Sequence, residues 1–290
     1  MSIDVFQKKA IYSHVLAATL DGKIETIARW LLANGFQAIW PKVADGPYPF
    51  RWRPPFTALP YAENLTAGMV EIFHSYGLLV LGWGFLYGKD PKGEATLAVS
   101  QVKNLGLDGY ILDAEGMFDG QPTAEANAYT ITRIIKDAIP DTPLAYCGFP
   151  RIWSPKTGGE WHPAKVVRAF MSACDAASPM TYWDGESPAW AAEFLQQSYE
   201  QYRRITDKPY VPAGRAYIGD AGKATKETIA AFQARADVLG IKGISWWFLD
   251  HAVKYPAIRD GLATTHQYIA DIPPVERRCP TCGQIWPANA

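Results

Sequence analysis

Residues 108–116 read Asp-Gly-Tyr-Ile-Leu-Asp-Ala-Glu-Gly, an apolar run that ends in two carboxylates two positions apart. As a β-strand, this run puts Ile111, Asp113 and Glu115 on one face. Turning two neighbouring carboxylates inward is costly without a purpose. Their mutual repulsion raises the pKa of one of them, and a protonated Glu is what a general acid requires. Glu115 is the expected acid and Asp113 its charged neighbour.

The surrounding pattern supplies a scaffold for such a pair. Apolar, β-type runs occur at 10–16, 37–41, 78–84, 109–114, 143–149, 177–183, 210–217 and 243–249. Amphipathic, helix-type runs occur at 22–34, 94–105, 123–138, 163–173, 188–205, 225–239 and 255–270. Thr123 and Thr225 have the residue type and position of N-caps. Repeated strand–helix alternation at this length predicts an α/β fold, a (β/α)8 TIM barrel over 1–270 with a tail at 271–290. An open doubly wound sheet would usually carry a Gly-rich phosphate loop after its first strand. Here that strand runs into Ala-Ala-Thr-Leu-Asp-Gly-Lys. In a barrel the chemistry sits at the C-terminal ends of the strands, which is where Asp113 and Glu115 fall.

The strand-4 segment, D-G-x-x-x-D-x-E, resembles the D-x-x-D-x-D-x-E signature of family 18 glycoside hydrolases, the chitinase-like barrels. Met180-Thr181-Tyr182 on strand 6 is similar to that family's M-x-Y, and Gly243-Ile244-Ser245-Trp246-Trp247 on strand 8 to its G-x-x-x-W. Gly214 and Tyr217 on strand 7 look like its small-residue-then-Tyr segment. Two departures stand out: Ile111 occupies the place of the family's middle Asp, and the Asp that should follow the strand-6 Tyr is displaced by one position to Asp184. The resemblance implies substrate-assisted retaining hydrolysis of a β-linked, N-acetylated polysaccharide such as chitin or peptidoglycan. Glu115 would protonate the glycosidic oxygen and the substrate's acetamido group would attack the anomeric carbon. Asp113 would orient that acetamide, Tyr182 would hydrogen-bond its oxygen, and Trp247 would stack under the sugar.

Parity extends the expected substrate-binding set. Trp247 inward sends Trp246 toward the helices. Met180, Tyr182 and Asp184 share one face, as do Arg215 and Tyr217, where an inward Arg215 could pair with a carboxylate or an acidic sugar. Trp40 and Trp83, near the mouths of strands 2 and 3, complete the set. His14, Lys42 and the pair Asp250-His251 are weaker candidates at the same mouth.

Composition narrows the partners. The chain has 290 residues, Lys+Arg 28 against Asp+Glu 29, and a net charge of -1, so no basic excess is available for nucleic acid. The longest apolar runs, such as 78–86, are about half of a membrane crossing, and no secretory signal is visible at the N-terminus. Aromatic residues make up 13%, including 11 Trp, which suits ring-like ligands. The five His lack metal-site spacing and no cofactor is expected. Cys147 and Cys174 are expected as buried thiols. Cys279 and Cys282 form half a zinc site, a local disulfide or a remnant. Asn64-Leu65-Thr66 is a glycosylation sequon that means little without a signal peptide. The expected partner is a polysaccharide or oligosaccharide, and the expected state a monomer or weak homo-oligomer. The alternatives are a non-catalytic carbohydrate-binding or structural barrel, and a family 25-like muramidase. The second would carry an acidic residue at the end of strand 1, where this chain has His14-Val15-Leu16-Ala17.

Overall fold

The computed structural model describes residues 3–55, 57–219 and 221–265, and the backbone of 277–278 and 285–286. The strands are β1 (Lys9–Ser13), β2 (Ala38–Asp45), β3 (Leu79–Leu86), β4 (Gly109–Ala114), β5 (Leu144–Cys147), β6 (Ala176–Ala177 and Met180–Thr181), β7 (Ala213–Arg215) and β8 (Ile244–Trp247). All pair in parallel, in the order β1 to β6 on one side and β1-β8-β7-β6 on the other. β6 closes the ring. Ser178 N donates to Tyr146 O at 2.7 Å on the β5 side, and Val211 N donates to Ala177 O at 2.8 Å on the β7 side. The gap within β6 falls at Pro179, which has no N–H to give to a ladder.

The helices are α1 (Ile24–Ala33), α2 (Ala67–Ser75), α3 (Pro91–Leu105), α4 (Ala124–Ala138), α5 (Ala164–Ala173), α6 (Pro188–Arg203), α7 (Lys226–Val238) and α8 (Pro256–Ala263). The fold is the expected (β/α)8 barrel. The sequence reading missed α2, a short helix containing Gly68 whose only buried side chains are Val70 and Phe73. Its periodic signal is too brief to stand out beside the loop before it. Thr66 caps it by accepting from Met69 N. Thr225 caps α7 in a reciprocal box with Thr228, whereas Thr123 sits at the N-cap of α4 without a side-chain cap bond. Among the described residues, no helix is long and apolar enough to cross a membrane. Cys279, Cys282 and His266 lie outside the described residues.

Packing separates two apolar layers. Ile39, Leu112, Ile244 and Trp246 face outward against the helices. Inside the barrel, alanines 10, 38, 145, 176 and 213 accompany Tyr12, Trp40, Trp83 and Ile111. Small side chains on one part of the ring make room for large rings on another, so the interior is filled by side chains. Trp40 and Tyr12 meet edge-on, 4.9 Å between centroids.

Two buried polar residues fasten the barrel. Asn64, from the segment before α2, accepts from Leu16 N (2.9 Å) and donates to His14 O (3.0 Å) and Lys42 O (2.9 Å). It thereby ties the mouths of β1 and β2 together. Lys9, 1% exposed, donates to Asn34 O and Leu262 O, both at 2.7 Å, and to Thr265 O at 3.3 Å. These carbonyls sit at the ends of α1 and α8, where backbone acceptors lack helical partners. Lys9→Met is expected to lower unfolding free energy by about 2–4 kcal/mol, because it strands buried carbonyls. Urea unfolding would show this as a lower midpoint, and an unchanged midpoint would mean the clamp contributes nothing.

Candidate active site

A cavity of about 480 Å³ opens at the C-terminal ends of the strands. Asp113 is the last inward residue of β4 and is 7% exposed. Glu115 follows the strand in extended conformation and leads into a short helical turn, Gly116–Asp119. Both line the cavity. Burial, and then the charge on Glu115, push the Asp113 carboxyl well above the ordinary carboxylate range. Burial raises Glu115 as well. The Lys42 ammonium pulls both back down. The pair therefore titrates as a unit, with the more deeply buried Asp113 holding its proton more tightly.

The structure brings Met180, Tyr182, Tyr217 and Trp247 into the same cavity as the carboxylates. Trp247 packs edge-on against Tyr12 and Trp83, both at 5.5 Å, with Tyr182 at 6.4 Å. Tyr182 in turn meets Tyr217 at 5.7 Å, nearly perpendicular. Trp246 points the other way, onto Phe232 of α7.

Four expected binding residues do not line the cavity. Trp40 is wholly buried in the barrel core beneath it. Trp83 is 3% exposed; its indole donates to Ser13 O at 3.2 Å and supports Trp247 from the side. Asp184 is exposed and accepts from the Trp190 indole at the start of α6. The strand has ended at Thr181, so its alternation does not reach Asp184. Arg215 is 0% exposed and pairs with no carboxylate among the described residues. Its guanidinium donates to the carbonyls of Trp183, Tyr217, Ala221 and Gly222, and lies over the Tyr217 ring at 4.5 Å. Converging loop carbonyls occupy its donors, and it stands behind Tyr217 rather than in the cavity lining.

Sequence reasoning missed Tyr12, Cys147, Phe149 and Pro150 as cavity residues. Parity along 143–149 was the available signal, since it places Ala145, Cys147 and Phe149 on one face. Lys42 belongs to β2 rather than to a loop. Its ammonium pairs with Asp45 at 2.9 Å and lies over Phe50, 4.6 Å from the centroid, and Trp83, at 5.1 Å. His14 stacks on Phe50 at 5.2 Å, and burial followed by Lys42 lowers its pKa. His251 Nδ1 accepts from Ile218 N at 3.1 Å. Asp250 accepts from the Thr19 hydroxyl. Among the described residues, no group of three or more His, Cys, Asp and Glu is placed to hold a metal ion.

A second cavity of about 500 Å³ lies beyond Asp45, between the mouths of β2 and β3. Its buried carboxylate, Glu94, already accepts from the backbone N–H groups of Tyr87 and Gly88. Asp113 differs: its Oδ1 is buried and meets no donor among the described residues.

Solved structures share this architecture. A chitinase from Rhizomucor miehei superposes with a TM-score of 0.64 over 88% of this chain and 99% of that one, at 12% identity. A plant class V chitinase from Cycas revoluta gives 0.60 over 88% and 98%, at 9% identity. The fold is a chitinase-like TIM barrel. The endo-1,4-beta-D-mannanase of Thermotoga petrophila also gives 0.60, over 84% and 88% at 10% identity. The likeness therefore extends across TIM-barrel glycoside hydrolases, and at these identities it concerns the fold. No protein-family model and no curated protein matches the sequence. Ile111, where the strand-4 resemblance expects an Asp, is wholly buried two residues before Asp113.

Proposed function

We propose that this chitinase-like barrel is a glycoside hydrolase that cleaves a β-linked, N-acetylated polysaccharide, chitin-like or peptidoglycan-like, by a substrate-assisted route. The observation that carries the reading is the placement of the cavity's carboxylates. Among the described residues lining it, Asp113 and Glu115 alone are acidic, and both come from one strand mouth. Two-carboxylate mechanisms set their groups on opposite sides of the scissile bond. A pair from a single strand approaches from one side, which leaves the opposite face of the sugar without a protein nucleophile or base. An acetamido oxygen on the substrate fills that role.

In this reading substrate binding shifts the pair's proton from Asp113 to Glu115, which gives it to the glycosidic oxygen as the bond to the anomeric carbon breaks and leaves Asp113 ionised. The acetamide oxygen closes on that carbon and its nitrogen gains positive charge. Asp113 Oδ1, free of other partners, faces that N–H and stabilises the charge. Tyr182 donates to the acetamide region and Trp247 presents an apolar floor. Water, deprotonated by Glu115, then opens the cyclic intermediate with retention.

Ile111 favours a second reading, a carbohydrate-binding barrel that has lost turnover. Product release from N-acetylglucosamine oligomers and purified peptidoglycan separates the two. The hydrolase reading expects new reducing ends from at least one polymer. An intact oligosaccharide that binds but is never cut would establish the binding protein instead.

A further inference from the structure

The Asp113 carboxyl has no polar neighbour beneath it on its own strand, because that position is Ile111. Its partner comes from the next strand. Asp113 and Cys147 are register neighbours across β4 and β5. Both are more than nine-tenths buried and both line the cavity. The thiol and the carboxyl therefore sit side by side on the inner face, where the thiol favours the ionised carboxyl. The Tyr12 hydroxyl acts on the same thiol and lies 3.4 Å from the Ser178 hydroxyl. The Asp113 Oδ1 itself meets no hydrogen-bond donor among the described residues.

We propose that Cys147 is a positioning residue, its thiol holding one oxygen of Asp113 so that the other faces the substrate. The proposal rests on the hydrolase reading for its kinetic meaning, but the contact itself does not. A thiol is a weak donor, so it fixes the direction of the carboxyl without forcing it to stay ionised. The other titratable groups that interact with Asp113 are Glu115 just past its own strand, Lys42 from β2, Tyr12 from β1, Tyr146 from β5 and Tyr182 beyond β6. β3 and β8 present rings, Trp83 and Trp247.

Opposite shifts in two variants identify this role. Cys147→Ala removes the donor, which disfavours the carboxylate and moves the pH-profile limb of the Asp113–Glu115 pair upward. Its kcat is expected to fall by about tenfold, the scale of one hydrogen bond, with KM within about twofold. Cys147→Ser supplies a stronger donor, restores most of the rate and moves the same limb downward. A merely structural Cys147 would change amounts of folded protein and leave the limb in place.

The S–H stretching band tests the contact without turnover. The Cys147 band is the one lost in Cys147→Ala, or in Cys147→Ser if the alanine variant does not fold. In the wild type it is expected to shift to lower frequency as pH rises and Asp113 ionises, and in Asp113→Asn it is expected not to titrate. A band indifferent to pH, or one that titrates equally in Asp113→Asn, overturns the proposal. So does a Cys147→Ala enzyme with the wild-type pH profile. A wild type that cuts no glycan overturns the hydrolase reading alone, since the band still decides the contact.

Discussion

Glu115→Gln is expected to lower turnover by about 10²–10⁴-fold, the range supplied by a positioned general acid. Gln keeps the shape and polarity of the side chain but has no proton to give the leaving oxygen. Binding of an intact oligosaccharide should change little, so the loss belongs to kcat. Stability should move the other way. Glu115 is raised by burial and adds charge that raises Asp113. An acid raised in the folded state binds protons there that the unfolded chain has lost. Folding stability is then full below the unfolded carboxylate pKa of about 4 and is lost as pH rises through the folded values. Glu115→Gln removes part of that penalty, so its melting temperature near neutral pH should equal or exceed the wild type's. Product assays beside thermal melts at acid and neutral pH check both halves. Wild-type turnover in this variant would sink the assignment of Glu115.

Asp113→Asn is expected to lower kcat by about 10²–10³-fold, the scale on which removal of a preorganised electrostatic partner acts. The expected loss is of charge rather than of volume. Asp113 meets the acetamide nitrogen as positive charge develops there, and a neutral amide cannot match it. The variant also uncouples the titration. With its neighbour neutral, Glu115 should titrate as a single group, and the two-step limb of the pH profile should become one step. Measuring kcat and kcat/KM across pH for the wild type and the variant tests this. An unaltered profile would mean that the two carboxyls do not act on one another in the working enzyme.

The barrel was legible in the sequence because its two periodicities are local and repeated. α2 was not, since nine residues with two buried side chains give little pattern. The carboxylate pair and Trp247 were legible by parity, which holds wherever a strand is continuous. Asp184 failed for the same reason: parity was extended past Thr181, where the ladder had stopped. Arg215 faces inward as parity requires, yet its partners are carbonyls from loops distant in sequence, which no local pattern reveals. Trp40 was misplaced in depth rather than in face. Alternation tells which side of a sheet a residue occupies but not how far below the mouth it lies. Cys147 needed one further step, the register between β4 and β5, and register is a property of two strands together.

The buried amide of Asn64 bears on how this protein can be made. Oligosaccharide transfer in a secretory compartment acts on Asn-x-Thr while the chain is still open, and residues 64–66 satisfy that pattern. In the fold, Asn64 is 4% exposed, its amide oxygen accepting from Leu16 N and its nitrogen donating to His14 O and Lys42 O. A glycan attached there would occupy the nitrogen and could not fit between the strand mouths. A chain modified at this position would be unable to close its barrel, so the route of synthesis decides whether the cavity ever forms.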